Sequence, residues 1–352
     1  KNLSILLVKS PGYTKNISLM RMLDHHILGL KVYKEFKRLK KPDLILASWP
    51  PIDTAYAAAK FARKHNIPFI VDVRDLWPDT IYLKLSKFRL FNMTLRILVH
   101  YEFMLRYTFK HADSIIGITD YFVDWAVKYA KRTRKPLDKT FFLTNARIRD
   151  DIWGNGDLQF WKKLGVTNDN IKKIVWVGTL ASNRSTKIFL KAFREFSKVK
   201  PGKLKLIICG KGTMENEIIK ISKNSTDIIY AGYIDEKKYS FLSSISDFGL
   251  LSYDNWDFQN SIPNKVSEYL GAGMKILTNL DGEIAKRVDD DLICYFTPEL
   301  KTIFNVLKKI SNEAPWTEKE RSRALDFWSR SFNDTTNFNH FIDHIQRMCR
   351  VS

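Results

Sequence analysis

The chain has 352 residues, more than one hydrophobic core normally organises, so two domains are the first expectation. Its 45% apolar content can fill two cores, while 58 basic against 38 acidic residues leave a net charge of +20 and call for an anionic partner. Of the three such partners, a phosphorylated ligand and an acidic membrane surface stand ahead of nucleic acid, for which no zinc-finger spacing or RNA-binding signature is present and none is expected.

In chain order, residues 3–8 read as a strand and 23–39 as a helix. Residues 44–47 form the next strand, followed by Ser48, Trp49, Pro50 and Pro51, and Asp53 is placed to cap an alanine-rich helix over 54–65. Residues 69–73 are a buried strand, and 114–118 and 141–144 are two more. Short unbroken apolar strands alternating with helices imply a parallel sheet covered on both faces. The pattern restarts with strands over 173–177, 205–209, 248–251 and 274–278, separated by helices over 187–199 and 214–223 and by one opened at Ser261. Between the halves, residues 147–170 are polar and hold Gly154, Asn155 and Gly156, a linker signal. The tail, 317–350, is helical and rich in Trp, Phe and charge. Ligands of such sheets sit beyond the carboxyl ends of the strands, so the polar residues there are the candidates.

Residues 260–277 are the most informative segment. Ser261 is placed to cap a helix, Pro263 to fill its first turn, and Ile262 and Asn264 complete the entry, where unpaired N–H groups and the helix dipole favour a phosphate. Lys265 and Glu268, three residues apart, share one face, a cation for phosphate and a carboxylate for hydroxyls, while Val266, Tyr269 and Leu270 form the buried face. Gly271 and Gly273 end the helix. Other strand ends carry Gly178 and Thr179 with Arg184 beyond them, a turn of Gly210, Lys211 and Gly212, and Tyr233 after Ala231 and Gly232. In the first half, Asp72, Arg74 and Asp75 close the strand that ends in the run F-I-V-D-V-R-D-L-W-P.

These segments resemble the family-4 retaining glycosyltransferases, whose donor helix carries an acidic residue, seven others, then Glu. Glu268 matches the second acid and Asn260 stands at the first. The resemblance implies that Lys265 and Arg184 (the family has Lys at the latter position) hold the donor diphosphate, with Glu268 on the ribose hydroxyls. It makes Gly178, Thr179 and Gly210 part of the donor loops, with Thr179 where the family has Arg, and lets Tyr233 stack on the base. Residues 69–78 resemble the subgroup that builds O-antigen and capsule, typified by the fucosaminyltransferases, with Arg74 where most members carry His. Trp49, Arg74 and Asp75 are then acceptor-side residues; the alternative for Arg74 is an ion pair tying strand to loop. Residues 12–18 and Asn145 belong to the same likeness. Family members open with a strand and a glycine-rich loop that residues 1–12 do not reproduce, so the first domain is expected to be entered part way.

The implied fold is α/β, of GT-B type: two doubly wound Rossmann-like domains facing a cleft, residues 1–150 and 151–316, with C-terminal helices, 317–352, packing back on the first. The implied activity is a retaining, metal-independent transfer from a nucleotide sugar, UDP-linked rather than GDP-linked, to a polyprenyl-diphosphate-linked glycan in bacterial surface-polysaccharide assembly. No cofactor or metal is expected, since no D-x-D pair ends a strand and the histidines show no ligand spacing beyond His340 and His344. Two other classes stay open. Thr179 and Asn260 suit a non-catalytic GT-B subunit that partners another glycosyltransferase, and a UDP-N-acetylhexosamine epimerase would have only Asp72 and Asp75 placed for its chemistry.

Three widely spaced cysteines, Cys209, Cys294 and Cys349, suit a reducing cytoplasm. Residues 82–110 set Lys84, Lys87, Arg89, Arg96, Arg106 and Lys110 against the single acid Glu102, among Leu and Phe at helical spacing. That composition predicts an amphipathic helix lying on an anionic membrane surface, and hence a peripheral protein at the inner face of the cell membrane. Packing of the same apolar face on the first sheet is the alternative.

Overall fold

The computed structural model describes residues 3–14, 18–80, 91–142, 157–254, 256–314, 316–332 and 334–350, and the side chains of all of these but 91–98, 256, 257 and 334. The chain divides into two compact units, Lys1–Leu143 with Thr335–Ser352, and Thr144–Asp334. The first half runs α1 (Leu19–Phe36), β1 (Ile45–Trp49), α2 (Ile52–His65), β2 (Phe69–Val73), α3 (Phe91–Lys110), β3 (Ser114–Gly117), α4 (Asp120–Ala130) and β4 (Lys139–Thr140). The second runs α5 (Leu158–Lys163), β5 (Lys172–Val177), α6 (Arg184–Val199), β6 (Leu204–Cys209), α7 (Glu215–Ser222), β7 (Ile228–Gly232), α8 (Glu236–Ser244) and β8 (Phe248–Leu251). It continues with α9 (Trp256–Gln259), α10 (Asn264–Leu270), β9 (Lys275–Thr278), α11 (Glu283–Arg287), β10 (Ile293–Tyr295), α12 (Leu300–Asn312) and α13 (Glu318–Ser331), and α14 (Asp334–Arg350) ends the chain.

In the first unit the strands lie in the order β1-β2-β3-β4, all parallel, with Val71 opposite Ile115. Every position of β2 and β3 is buried, as expected of strands covered on both faces. Phe69, Val71 and Val73 pack with Ala55 and Ala58 of α2, Leu105 and Phe109 of α3, and Phe122 of α4. Ile70 and Ile116, on the opposite face, meet Phe341 and Met348 of α14. His344 Nε2 of that helix lies 3.0 Å from Ser114 Oγ. Helices α1 and α2 approach closely because Gly29 has no side chain: a Cβ there would come within 2.8 Å of Asp53.

The second unit holds a six-stranded parallel sheet in the order β10-β9-β8-β5-β6-β7. Successive strands run outward from β5 to β7, and the chain then returns to place β8 on the other side of β5, so the topological switch lies between β5 and β8. Phe189, Phe193 and Phe196 of α6 and Ile303, Leu307 and Ile310 of α12 cover one face.

Several expectations change. Residues 3–8 form no strand and lie exposed, Leu3 at 82% and Leu7 at 88%. A strand needs a ladder, and β1 pairs with β2 alone. Asp53 does not cap α2. The helix starts at Ile52, Thr54 Oγ1 donates to Pro51 O at 2.9 Å, and Asp53 lies buried in the first turn. The strand expected over 141–144 is β4, two residues earlier; Thr144 and Asn145 lie outside the described residues. Ser261 is no cap either: α10 opens at Asn264, with Pro263 at the capping position and Ser261 buried. The end of α10 is as read, with Gly271 as its cap and Gly273 at φ 69°. Within the expected linker, residues 158–163 form α5, whose Trp161 is buried and donates to Lys238 O at 2.9 Å, and Gly154, Asn155 and Gly156 lie outside the described residues. The expected tail of 317–352 divides. Helix α13 belongs to the second unit, where Trp328 Nε1 donates to Ser267 Oγ at 2.9 Å and Arg321 to Ser246 O at 2.8 Å, and α14 alone packs on the first sheet.

Candidate functional site

In the second unit the carboxyl ends of β5, β6 and β7 are stitched together by backbone. The Gly178 N–H donates to Cys209 O at 3.0 Å and the Gly210 N–H to Gly232 O at 2.7 Å. Gly178 and Gly210 have φ of 143° and 135°, and a Cβ on Gly210 would fall 1.8 Å from Gly178 O. Glycine is required there by both conformation and space. Above these ends lies a cavity of about 450 Å³. The strand ends supply Val177, Gly178, Thr179, Cys209, Gly210 and Lys211; the β7–α8 segment supplies Tyr233, Ile234, Asp235, Glu236 and Tyr239; α10 supplies Lys265 and Glu268.

Helix α10 is held against β5 by Tyr269, whose hydroxyl accepts the Val177 N–H at 3.2 Å and whose ring fills the space left by Gly249. One turn of that helix points Lys265 and Glu268 into the cavity, where they form an ion pair, each side chain about a quarter exposed. Tyr233 stands at the rim with 75% of its surface exposed, a free aromatic face. Burial pushes the Cys209 thiol up to about 12, so it stays protonated and is no nucleophile at neutral pH.

The cavity thus gathers Gly178, Thr179, Gly210, Tyr233, Lys265 and Glu268 of the residues expected from sequence. Arg184 is not among its lining. It is the exposed first residue of α6, and the amides of Arg184 and Ser185 both donate to the Asp254 carboxylate, so that helix end already holds its anion. Ser261 and Ile262 are buried beneath the entry to α10, and Pro263 and Asn264 flank it without lining the cavity. Lys211 was read as part of the Gly210 turn, whereas Cys209, Asp235, Glu236 and Tyr239 were not read as site residues from the sequence; only the strand order makes them neighbours.

In the first unit Trp49 is corrected from an acceptor contact to a core residue. It is fully buried, donates to Trp77 O at 3.0 Å and packs on Phe109 with ring centroids 4.7 Å apart. Arg74 Nε pairs with Asp72 Oδ2 at 2.6 Å, the strand-to-loop tie given above as the alternative, and Asp75 accepts from Thr80 Oγ1 at 3.3 Å. Burial raises the Asp72 carboxyl above its ordinary range, with Arg74 opposing. Nearby residues missed in the sequence are Arg21, whose guanidinium lies 4.2 Å from the Trp77 ring centroid and 5.2 Å from that of Tyr13, and His26, whose Nδ1 is 3.1 Å from Asp53 Oδ1. For Arg21 the available signal was its i, i+4 spacing to His25, whose Nε2 lies 3.5 Å from the Arg21 Nε; nothing in the sequence marks His26. In α3, Leu105 and Phe109 are buried while Val99 and Phe103 are exposed, and Lys84, Lys87 and Arg89 lie outside the described residues.

Residues 171–299 match the family model described as glycosyl transferases group 1. No curated protein matches the chain significantly. Among solved structures, HepE from Anabaena in complex with UDP is similar at 12% identity and a TM-score of 0.64, over 94% of this chain and 84% of that one. The UDP-forming α,α-trehalose-phosphate synthase from Burkholderia xenovorans is similar at 14% identity and a TM-score of 0.67, over 95% of this chain and 80% of that one. The E. coli trehalose-6-phosphate protein bound with UDP-2-fluoro glucose gives 13% and 0.66, over 94% and 79%. At such identities the likeness carries the fold: α/β with two parallel sheets, of GT-B type. Every residue lining the switch-point cavity falls inside the matched segment, and residues 171–299 are a glycosyl transferases group 1 domain in a chain of GT-B-like fold.

Proposed function

We propose that the protein is a retaining glycosyltransferase that moves a sugar from a UDP-linked donor to a polyprenyl-diphosphate-linked glycan, at an anionic membrane surface, in the assembly of a bacterial surface polysaccharide such as O-antigen or capsule. The observation that carries this reading is the single cavity that joins Gly178, Gly210, Tyr233, Lys265 and Glu268 at the switch point of the group 1 domain. The UDP and UDP-2-fluoro glucose complexes of the similar proteins support UDP as the nucleotide.

In this reading Tyr233 stacks on the base, Glu268 accepts from the ribose hydroxyls and Lys265 turns to the diphosphate. The ion pair between Lys265 and Glu268 keeps both side chains at the cavity in the ligand-free protein, and binding exchanges this partly exposed contact for the diphosphate and the ribose. The bond between the sugar's anomeric carbon and the diphosphate oxygen breaks, and the acceptor hydroxyl adds from the same face. Its proton passes to the leaving phosphate. Lys265 stabilises the charge that develops on that phosphate, so no protein nucleophile is required. Arg74 and Asp75 remain the acceptor-side residues of the proposal. The exposed Val99 and Phe103 on α3, together with the net charge of +20, support the membrane contact.

Arg184 outside the cavity, Thr179 and Asn260 favour a second reading, a non-catalytic GT-B subunit that binds a partner glycosyltransferase. Calorimetric titration with UDP and with GDP separates the two. A transferase binds UDP; binding of neither nucleotide leaves the scaffold.

A further inference from the structure

In the lining of the cavity a buried polar group is left without a partner among the described residues. Tyr239, on α8, places its ring beneath the Lys265 ammonium, 5.7 Å from the ring centroid to Nζ. Its hydroxyl is buried and has no hydrogen-bond partner among the described residues. Neighbouring tyrosines show what such a group normally finds. Tyr269 Oη accepts the Val177 N–H at 3.2 Å, and Tyr230 Oη has two acceptors for its one hydrogen, Glu215 Oε1 at 2.8 Å and Gly210 O at 2.9 Å. A buried unpaired hydroxyl opposes folding, and each one calls for an explanation in terms of function or an absent partner. Tyr239 lines a cavity whose other polar groups suit a nucleoside diphosphate.

Resting on the function proposed above, we infer that Tyr239 is a ligand-binding residue, which donates its phenolic hydrogen to an oxygen of the ribose–diphosphate part of the sugar nucleotide. Burial and the charge of Glu268 both keep the phenol protonated, so it offers a donor and needs an acceptor. The base, at the exposed rim beside Tyr233, is the less suitable source, because the Tyr239 ring lies under Lys265, the residue assigned to the diphosphate, and its hydroxyl is buried. While Lys265 pairs with Glu268 its side chain covers the ring. When the ammonium turns to a diphosphate oxygen the cover moves with it, and the hydroxyl gains its acceptor. Binding therefore removes a defect of the ligand-free protein, a source of affinity that a sequence comparison of phosphate-binding cations does not show.

The test is Tyr239→Phe, which keeps the ring and removes only the hydroxyl. Thermal unfolding without ligand and calorimetric titration with UDP are measured on the full chain and on the variant. The expected result is a ligand-free Tm that is unchanged or higher, with UDP binding weakened about tenfold, the loss of one hydrogen bond. UDP binding equal to that of the parent overturns the inference and leaves the function standing. A lowered ligand-free Tm with unchanged affinity also overturns it, since the hydroxyl then has a structural partner. A parent protein that binds no UDP overturns the function reading, and this inference falls with it.

Discussion

Replacing Lys265 by Met removes the charge and keeps the unbranched stem that lies over Tyr239. Two unit charges about 4 Å apart interact by about 4 kcal/mol at an effective dielectric near 20. The Lys265 side chain is 25% exposed, so solvent screens part of this, and about 2–3 kcal/mol is the contribution expected toward a departing diphosphate. That corresponds to a loss of roughly 30- to 150-fold in kcat/KM. The same substitution leaves Glu268 without its cation, facing the anionic ligand. A double variant, Lys265→Met with Glu268→Gln, is therefore expected to lose less than the sum of the two single changes. The native state is barely affected, because a partly exposed i, i+3 pair contributes only about 0.3–0.5 kcal/mol to folding. Initial rates of sugar transfer, with thermal unfolding alongside, make the measurement, and Lys308→Met, on the exposed side of α12, is the control. Parental kcat/KM in Lys265→Met, or a loss no larger than that of the control, refutes the assignment of Lys265 to the diphosphate.

Glu268→Gln keeps shape but weakens the charge-assisted bonds to the ribose, so UDP affinity should fall while the ligand-free Tm stays constant; a variant that unfolds early yet binds normally makes Glu268 a structural residue. For His344, burial first, then Lys139 and Arg347, hold the imidazole below its ordinary value, with Asp138 opposing. The unfolded chain then takes up a proton that the native state resists, so stability is fully present above about pH 6.5 and is lost as pH falls from there through the lowered native value. His344→Gln should flatten the denaturation midpoint between pH 7 and 5, and an unchanged slope counts against the buried neutral imidazole. Vesicle co-sedimentation tests the membrane contact: pelleting should need anionic lipid, weaken with salt and drop when Lys84, Lys87 and Arg89 become Glu, each cation near such a surface contributing about 1 kcal/mol. Equal pelleting with neutral vesicles removes the electrostatic argument.

The central strands were legible because their apolar runs are unbroken and bracketed. Strands β2 and β8 fall where the sequence places them, each buried at every position. Residues 3–8 have an equally apolar pattern and fail, because composition shows willingness to form a strand and not the presence of a neighbouring ladder. The capping errors have a similar cause. Asp53 and Ser261 have suitable side chains, but tertiary packing drew Asp53 toward His26 and buried Ser261, and the helices start elsewhere. The division of the tail at residue 334 was not readable, since α13 and α14 have similar aromatic and charged compositions and differ only in which sheet offers a complementary face.

The same distinction sorts the site. Lys265 and Glu268 could be paired from sequence because one helical turn fixes their geometry. Gly178, Gly210 and Gly232 lie at the ends of three strands far apart in the chain, and only the parallel order β5-β6-β7 sets them side by side with their backbones hydrogen-bonded. The residues around each glycine are then delivered to one place, which is how Cys209 and Tyr239 come to share a cavity with Thr179. Arg184 shows the converse. It stands close to Gly178 in sequence, yet it opens α6 and is not part of the cavity lining, and Asp254 takes the amides at that helix's start. If a diphosphate is bound in this cavity, its positive charge comes from Lys265 and Lys211, and the contribution of Arg184 depends on whether ligand draws its side chain across from α6. In that case the cation expected from the sequence at Arg184 is exchanged for Lys211, and because the Gly178 and Gly210 N–H groups are already taken by Cys209 O and Gly232 O, the Tyr239 hydroxyl is a neutral donor left beside the two lysines.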